Sequence, residues 1–254
     1  MKSSIHPTAI VESGAQLGEG CVIHAGAIIR SGAILGDKVA VHPYAVVGGD
    51  PQVLRFDPSV KTGTKVGAGT IIREYVTINR STEPGAFTEV GSNCLLMACS
   101  HVAHDTLVGN NVVVANAVLL AGHIVVGNNV VLGGGSAYHQ FSRIGEGSMV
   151  GGLARITQDI PPYVMIAERN EVSGLNLVGL RRRGATREAI NELKEAFRLV
   201  YFQTGNIREI AAKAIADGTF KAAEPLRFLE FITQGKRGIA RARRKGELPE
   251  EDAG

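Results

Sequence analysis

Residues 90–156 read VGSNCLLMACSHVAHDTLVGNNVVVANAVLLAGHIVVGNNVVLGGGSAYHQFSRIGEGSMVGGLARI. Every sixth residue from Val90 gives Leu96, Val102, Val108, Val114, Leu120, Val126, Leu132, Tyr138, Ile144, Val150 and Ile156, and Tyr138 alone is not aliphatic. Four residues further on, the side chain is often small, as at Ser136, Ser142, Ser148 and Ala154. A period of six is neither the 3.6 of a helix nor a plain alternation. It describes a short strand, a turn and another short strand, with the large and the small side chain both pointing inward. Three hexads close a triangular coil of eighteen residues, and stacked coils pair at about 4.8 Å, the ordinary strand spacing.

The same period of six extends towards the N-terminus. Ile5, Val11, Leu17, Ile23, Ile29, Leu35, Val41 and Val47 form one block, and Val66, Ile72 and Ile78 form a shorter one. The breaks at 49–59 and 80–89 carry Pro51, Pro58, Pro84 and Gly85 and are expected to project as loops, where ligand contacts concentrate. Beyond Ile156 the repeat fades into Pro161-Pro162. Thr186 then reads as the cap of a helix running to about Thr204, with Gly205 as its stop and Ile190, Leu193, Phe197 and Val200 as its apolar stripe. Further helices are expected over 207–216 and from Pro225, and residues 247–254 read as a frayed end. The expected division is a parallel β-helix over 1–165, a connector over 166–184 and a small α-helical subdomain over 185–254.

Composition agrees with short strands and tight corners: 32 glycines, no tryptophan and 44% hydrophobic residues. A formal charge of +3 gives no reason to expect a nucleic-acid partner. No apolar run reaches eighteen residues and the first residues lack an apolar core, so neither a membrane span nor a secretory signal is expected. Cys21, Cys94 and Cys99 form no paired pattern and read as small buried thiols of a reduced, cytoplasmic protein.

Four of the seven histidines lie between 101 and 139. Counting by eighteen sets Gly122 above His104, Gln140 above Gly122, and His123 above Asp105. His101, His104, His123 and His139 therefore share one corner on successive coils. Such a strip suits either metal binding, as in the gamma-class carbonic anhydrases, or general-base catalysis by a neutral imidazole. His104 is followed directly by Asp105, which can orient the ring, and the Gly122 N–H can hold an oxyanion. Base, orienting acid and oxyanion donor then stand together without a protein nucleophile, an arrangement suited to acyl transfer. His6, His24 and His42 are also spaced by eighteen, with no chemistry around them, and read as a structural ladder. A hexapeptide subunit that only binds or scaffolds is a third reading, against which the His104-Asp105 pair and Gly122 speak.

His101-Val-Ala-His104-Asp105, Leu120-Ala-Gly122-His123, Tyr138-His139-Gln140-Phe141, Asp159-Ile-Pro-Pro-Tyr-Val164, Asn176-Leu-Val-Gly-Leu-Arg-Arg-Arg-Gly184 and Arg73-Glu-Tyr-Val-Thr-Ile-Asn-Arg80 together resemble the UDP-N-acetylglucosamine O-acyltransferases of lipid A biosynthesis. The resemblance covers nearly the whole chain. It implies a left-handed coil and transfer of a 3-hydroxyacyl chain from acyl carrier protein to the glucosamine 3-position, with no cofactor and no metal. It implies His104 as base, Asp105 as its support and Gly122 as oxyanion donor. It also implies His123 and Gln140 as sugar contacts, with His101 and His139 lining the same site. Asn176 and Arg182 match nucleotide and phosphate contacts, and Arg183 a contact to a neighbouring subunit's site. Gln52 matches a position near the acyl 3-hydroxyl, and Gly152 the far end of the acyl groove. A homotrimer is implied as well.

Some positions depart from the pattern: Val53 stands for an aspartate, Arg55 for a lysine, Val178 for an acidic residue, and Glu171 falls near a usual histidine. A 3-hydroxyl and a 3-amino acceptor both stay open. Lys236, Arg237, Arg241, Arg243, Arg244 and Lys245, with Arg73 and Arg80, are candidates for steering an acidic carrier protein.

Overall fold

In the computed structural model, which describes residues 2–242, the inward aliphatic of most hexads ends a short strand. The strands line up in three parallel sheets, the faces of a triangular prism. The first face begins at Ser4–Ile5, the second at Ile10–Val11 and the third at Gln16–Leu17. The register follows the eighteen-residue count wherever the repeat is unbroken: His101 lies beside Leu119, Leu119 beside Ala137, and Ala137 beside Arg155. The hexad aliphatics are buried from Ile23 to Ile156, whereas Ile5 in the first coil is 48% exposed. Tyr138 keeps the inward position because Ser136, small and buried, gives its phenol a hydrogen bond at 3.0 Å.

The corner joining the second face to the third carries both interruptions of the repeat. One loop runs from 50 to 62, between the strands Val46–Gly49 and Gly63–Val66. The other runs only from 80 to 86, because pairing resumes at Phe87, where Phe87 to Val90 lie beside Gly63 to Val66. The expected break over 80–89 is thus shorter, and Thr88 is buried inside the prism.

The expected boundary at 165 falls inside a strand. Val164–Ala167 continues the first face and then pairs antiparallel with Glu171–Leu175, a hairpin that the hexad pattern does not announce. Four helices follow: α1, Leu177–Arg182; α2, Arg187–Phe202; α3, Ile207–Ala216; and α4, Ala223–Thr233. Thr186 caps α2, its side chain accepting from Ala189 N–H, and α4 begins two residues before Pro225. Leu193, Phe228, Leu229 and Ile232 are buried where α2 and α4 pack. The chain then returns to the prism, where Arg241–Ala242 pairs with Glu171–Val172. Arg243, Arg244, Lys245 and the stretch 247–254 lie outside the described residues. No helix among the described residues is long and apolar enough to cross a membrane.

Candidate active site

At the corner between the second and third faces, residues 104, 122 and 140 stack, and so do 105, 123 and 141. His123 N–H donates to the His104 carbonyl and Phe141 N–H to that of Gly122, each at 3.1 Å. The second residue of each turn has positive φ, at Asp105, His123 and Phe141. The turn thereby sets the first residue's side chain over the second face and the second residue's over the corner.

His104 Nδ1 lies 2.8 Å from Asp105 Oδ2. Asp105 is held from the other side by the 80–86 loop. Ser81 Oγ donates to Oδ1, Thr82 Oγ1 to Oδ2 at 2.6 Å and Thr82 N–H to Oδ2 at 3.2 Å. Thr88 Oγ1 takes the Asp105 N–H at 2.8 Å. Burial alone would raise the carboxyl's pKa. The donors from Ser81, Thr82 and His104 outweigh it and bring the pKa down to about 2. A carboxylate fixed in this way keeps the proton of His104 on Nδ1 and leaves Nε2 as the basic atom.

Gly122 is the second element of the site. A Cβ built there would sit 2.6 Å from His104 Cε1 and 2.7 Å from Nε2, so only glycine leaves room for the ring. Among the described residues its N–H makes no hydrogen bond, while its carbonyl accepts from Phe141. An amide without a partner can hold an oxyanion. His101 completes the group. Its Nδ1 lies 2.7 Å from Thr77 Oγ1, and burial, then the neighbouring His104, lowers its pKa and keeps it neutral.

Gln52, His101, His104, Gly122 and His139 line one cavity of about 640 Å³, with Leu119, Ala121 and Ala137 as its apolar floor. Arg155 and Thr157 line it too. His123 turns to the corner's edge, stacks on Phe141 at 4.6 Å between ring centroids, and brings Nε2 to 3.8 Å from Asp105. Gln140 is exposed beside it. A metal would find two imidazoles and one carboxylate here, His104, His123 and Asp105, with ligand atoms within 4.8 Å of one another. The three converging imidazoles that a gamma-class metal site needs are not among the described residues.

The other sequence candidates lie elsewhere on the chain. Asn176 caps α1 through Gly179 N–H and donates Nδ2 to Gly147 O at 2.9 Å, at the corner between the third and first faces. Arg183 rests on that corner too, over the Tyr163 ring, and Arg182 is exposed nearby. Gly152 sits at the remaining corner, beside Leu153, which is 81% exposed. Arg55 is exposed in the 50–62 loop.

Two expectations need correction. Cys99 is exposed at a corner, although Cys21 and Cys94 are buried as expected. Arg80 is not a free cation: it pairs with Asp50 at 2.8 Å and donates to the carbonyls of Pro58 and Val60, pinning one loop to the other. Thr77, Ser81, Thr82 and Arg237 were missed by the eighteen-residue count. Thr77 and His101 are twenty-four apart, because the coil between them carries the 80–86 loop.

A family model described as UDP N-acetylglucosamine O-acyltransferase, domain 2, matches residues 159–240, and one for bacterial transferase hexapeptide repeats matches 14–49. The acyl-acyl-carrier-protein--UDP-N-acetylglucosamine O-acyltransferase of Campylobacter lari is 41% identical, across 93% of this chain and 96% of its own. The protein of the same name from Paraburkholderia phymatum is 43% identical, across 94% of this chain and 100% of its own. The solved UDP-N-acetylglucosamine acyltransferase of Bacteroides fragilis superposes with a TM-score of 0.83 at 35% identity, covering 93% of this chain and 100% of its own. That of Campylobacter jejuni gives 0.81 at 35% identity, covering 94% and 100%.

Proposed function

Because the chain belongs to the UDP-N-acetylglucosamine O-acyltransferases, left-handed parallel β-helices of hexapeptide repeats, we propose that its histidine corner carries out their acyl transfer. The enzyme is an acyltransferase of lipid A biosynthesis, with acyl carrier protein as donor carrier and UDP-N-acetylglucosamine as acceptor. In our reading a 3-hydroxyacyl chain moves to the glucosamine 3-position. His104 Nε2 takes the acceptor's proton as its oxygen attacks the thioester carbonyl. The Gly122 N–H holds the tetrahedral oxyanion, and Asp105 stabilises the imidazolium. Collapse breaks the C–S bond, and the thiolate leaves with the proton from His104. No protein nucleophile and no metal enters this sequence. The observation that carries it is the contact of His104 with Asp105 on one side and Gly122 on the other.

The acceptor is bound, in this reading, by His101, His123, His139 and Gln140. Gln52 and Arg55 reach in from the 50–62 loop. Asn176, Arg182, Arg183 and Gly152 lie at other corners of the same chain, so they serve a site shared between chains. A homotrimer of cyclic symmetry brings one chain's corners to another's. Exposed aliphatics on flat faces support such packing, among them Val22, Ile71 and Met149 on the first and Ile10 and Leu119 on the second. We assign the prism, through the strand Val164–Ala167, to the scaffold, the stretch 171–184 to the nucleotide contact and the helices from Arg187 onward to the tail, acting in the cytoplasm.

A mass-resolved assay offering UDP-N-acetylglucosamine and its 3-amino analogue with a ladder of hydroxyacyl carriers tests the reading. Acylation of the 3-hydroxyl sugar is expected. Exclusive use of the amine would reassign the acceptor, and transfer to neither sugar would reject the function.

A further inference from the structure

Arg237, on the segment that follows α4, reaches back to the histidine corner. That segment is fixed at both ends. Arg208 of α3 donates to the carbonyls of Gly235 and Arg237. Asp159 N–H donates to Gly238 O at 2.8 Å, and Ala240 N–H donates to Asp159 O at 2.9 Å. The half-buried guanidinium between these ties donates Nη1 to the Gln140 carbonyl at 2.8 Å and Nη2 to the Thr157 carbonyl at 3.0 Å. Nη2 also lies 3.2 Å from His139 Nδ1.

The last contact decides a proton position. A guanidinium stays charged at neutral pH and only donates. Paired with it, His139 Nδ1 accepts, and the proton of the neutral tautomer sits on Nε2. The same Nδ1 lies 3.1 Å from the Gln140 carbonyl. Without Arg237, that carbonyl would lose its guanidinium donor at 2.8 Å, and Nδ1 would carry the proton and donate to it. Nε2 would then be bare. Arg237 thus donates to both the Gln140 carbonyl and Nδ1, which would otherwise pair through an Nδ1–H, and in this way selects the tautomer. His139 lines the cavity, so the choice determines whether the cavity offers a donor or an acceptor at that place.

We propose that Arg237 is a positioning residue that holds His139 as the Nε2–H tautomer, a donor to an oxygen of the sugar nucleotide. The sugar-nucleotide half rests on the function proposed above, whereas the tautomer half does not.

The test uses the full chain labelled with 15N-histidine, read by long-range 1H–15N spectra at neutral pH, with His139→Gln to assign the ring. Wild type is expected to show a bare Nδ1 and a protonated Nε2. Arg237→Lys keeps a charged donor and is expected to keep that pattern. Arg237→Met is expected to reverse it. KM for UDP-N-acetylglucosamine then rises about tenfold, the loss of roughly one well-placed hydrogen bond, while kcat and KM for the acyl donor change less than about twofold. A melting curve checks that the Met variant is folded. A protonated Nδ1 in wild type overturns the proposal, whether or not that variant folds. An unreversed tautomer in a folded Met variant overturns it too. Absence of UDP-N-acetylglucosamine binding to wild type by calorimetry would sink the acceptor reading and leave the tautomer result standing.

Discussion

Two corners of the prism carry histidine ladders built by the same eighteen-residue repeat, and one of them is poised for chemistry. At the corner between the first and second faces, His24 and His42 stack at 4.7 Å between ring centroids, and His42 Nδ1 lies 3.4 Å from Glu74. At the corner between the second and third faces, His104 meets Asp105 at 2.8 Å and His123 edge-on at 5.2 Å. Residue type does not separate them, since both pair imidazole with carboxylate. The surroundings do. Glu74 lies on the surface, where Arg73 forms two hydrogen bonds to it and brings its pKa down to about 2. Asp105 is gripped by Ser81 and Thr82, and its partner ring lines a cavity and lies against a glycine. An aromatic stack does not separate them either: Tyr44 and Tyr75, 5.4 Å between centroids, stand at the first corner as His123 and Phe141 do at the second. What a ladder can do is set by whether a loop orients its carboxylate and whether the coil above leaves a vacancy.

The sharpest way to break this contrast is to remove the base. His104→Ala is expected to lower kcat/KM by about 10³, in the range that a general base supplies. The fold should survive, because Asp105 keeps the hydroxyls of Ser81 and Thr82 and is not left as an unpaired buried charge. Near-normal turnover in a steady-state assay would reject His104 as base.

A smaller effect is expected from closing the vacancy. In Gly122→Ala the new methyl would have to displace the His104 ring, which it would otherwise approach to 2.6 Å. A shift of that size costs on the order of 10² in kcat. Gly122 is not among the glycines of positive φ, so backbone strain does not confound the result. Unchanged kcat would mean that the ring can move without harm and that the close fit has no catalytic meaning.

The prism was legible because its period is strict. Inward residues recur every six from Ile23 to Val47 and, in a frame shifted by one, at multiples of six from Val66 to Ile156, and the count by eighteen alone stacked 104 under 122 and 105 under 123. It failed where the chain leaves the period. Ser81 and Thr82 sit in the 80–86 loop, so no fixed spacing links them to Asp105. Arg237 lies 98 residues from His139, and only the docking of the tail joins them. The hairpin Val164–Ala167 with Glu171–Leu175 has no hexad signature, so most of it falls within the expected connector. The helices were legible from their caps and stripes, except α1, whose six residues are too few to display a stripe. Exposure of Cys99 was not legible either, since a corner residue and an inward one can both be cysteine.

The smallest expected effect belongs to the other ladder. His42→Gln should leave kcat/KM within about twofold, because His42 faces Glu74, Arg73 and His24 and not the cavity. Its signature lies in stability against pH. Burial, then the charges of His24 and Arg73, lowers the His42 pKa below the ordinary 6.5, and the attraction of Glu74 only partly opposes them. The unfolded chain therefore binds a proton more readily than the folded one. Stability from this group is complete above pH 6.5 and declines as pH falls through the lowered folded value. The ring is partly open to solvent, so the decline is well under about 1 kcal/mol. Denaturant midpoints measured between pH 7.5 and pH 5 should fall less in His42→Gln than in wild type. A variant that keeps the full slope would assign the titration to another group. One that loses activity would erase the distinction between the two corners and make the first ladder part of the site.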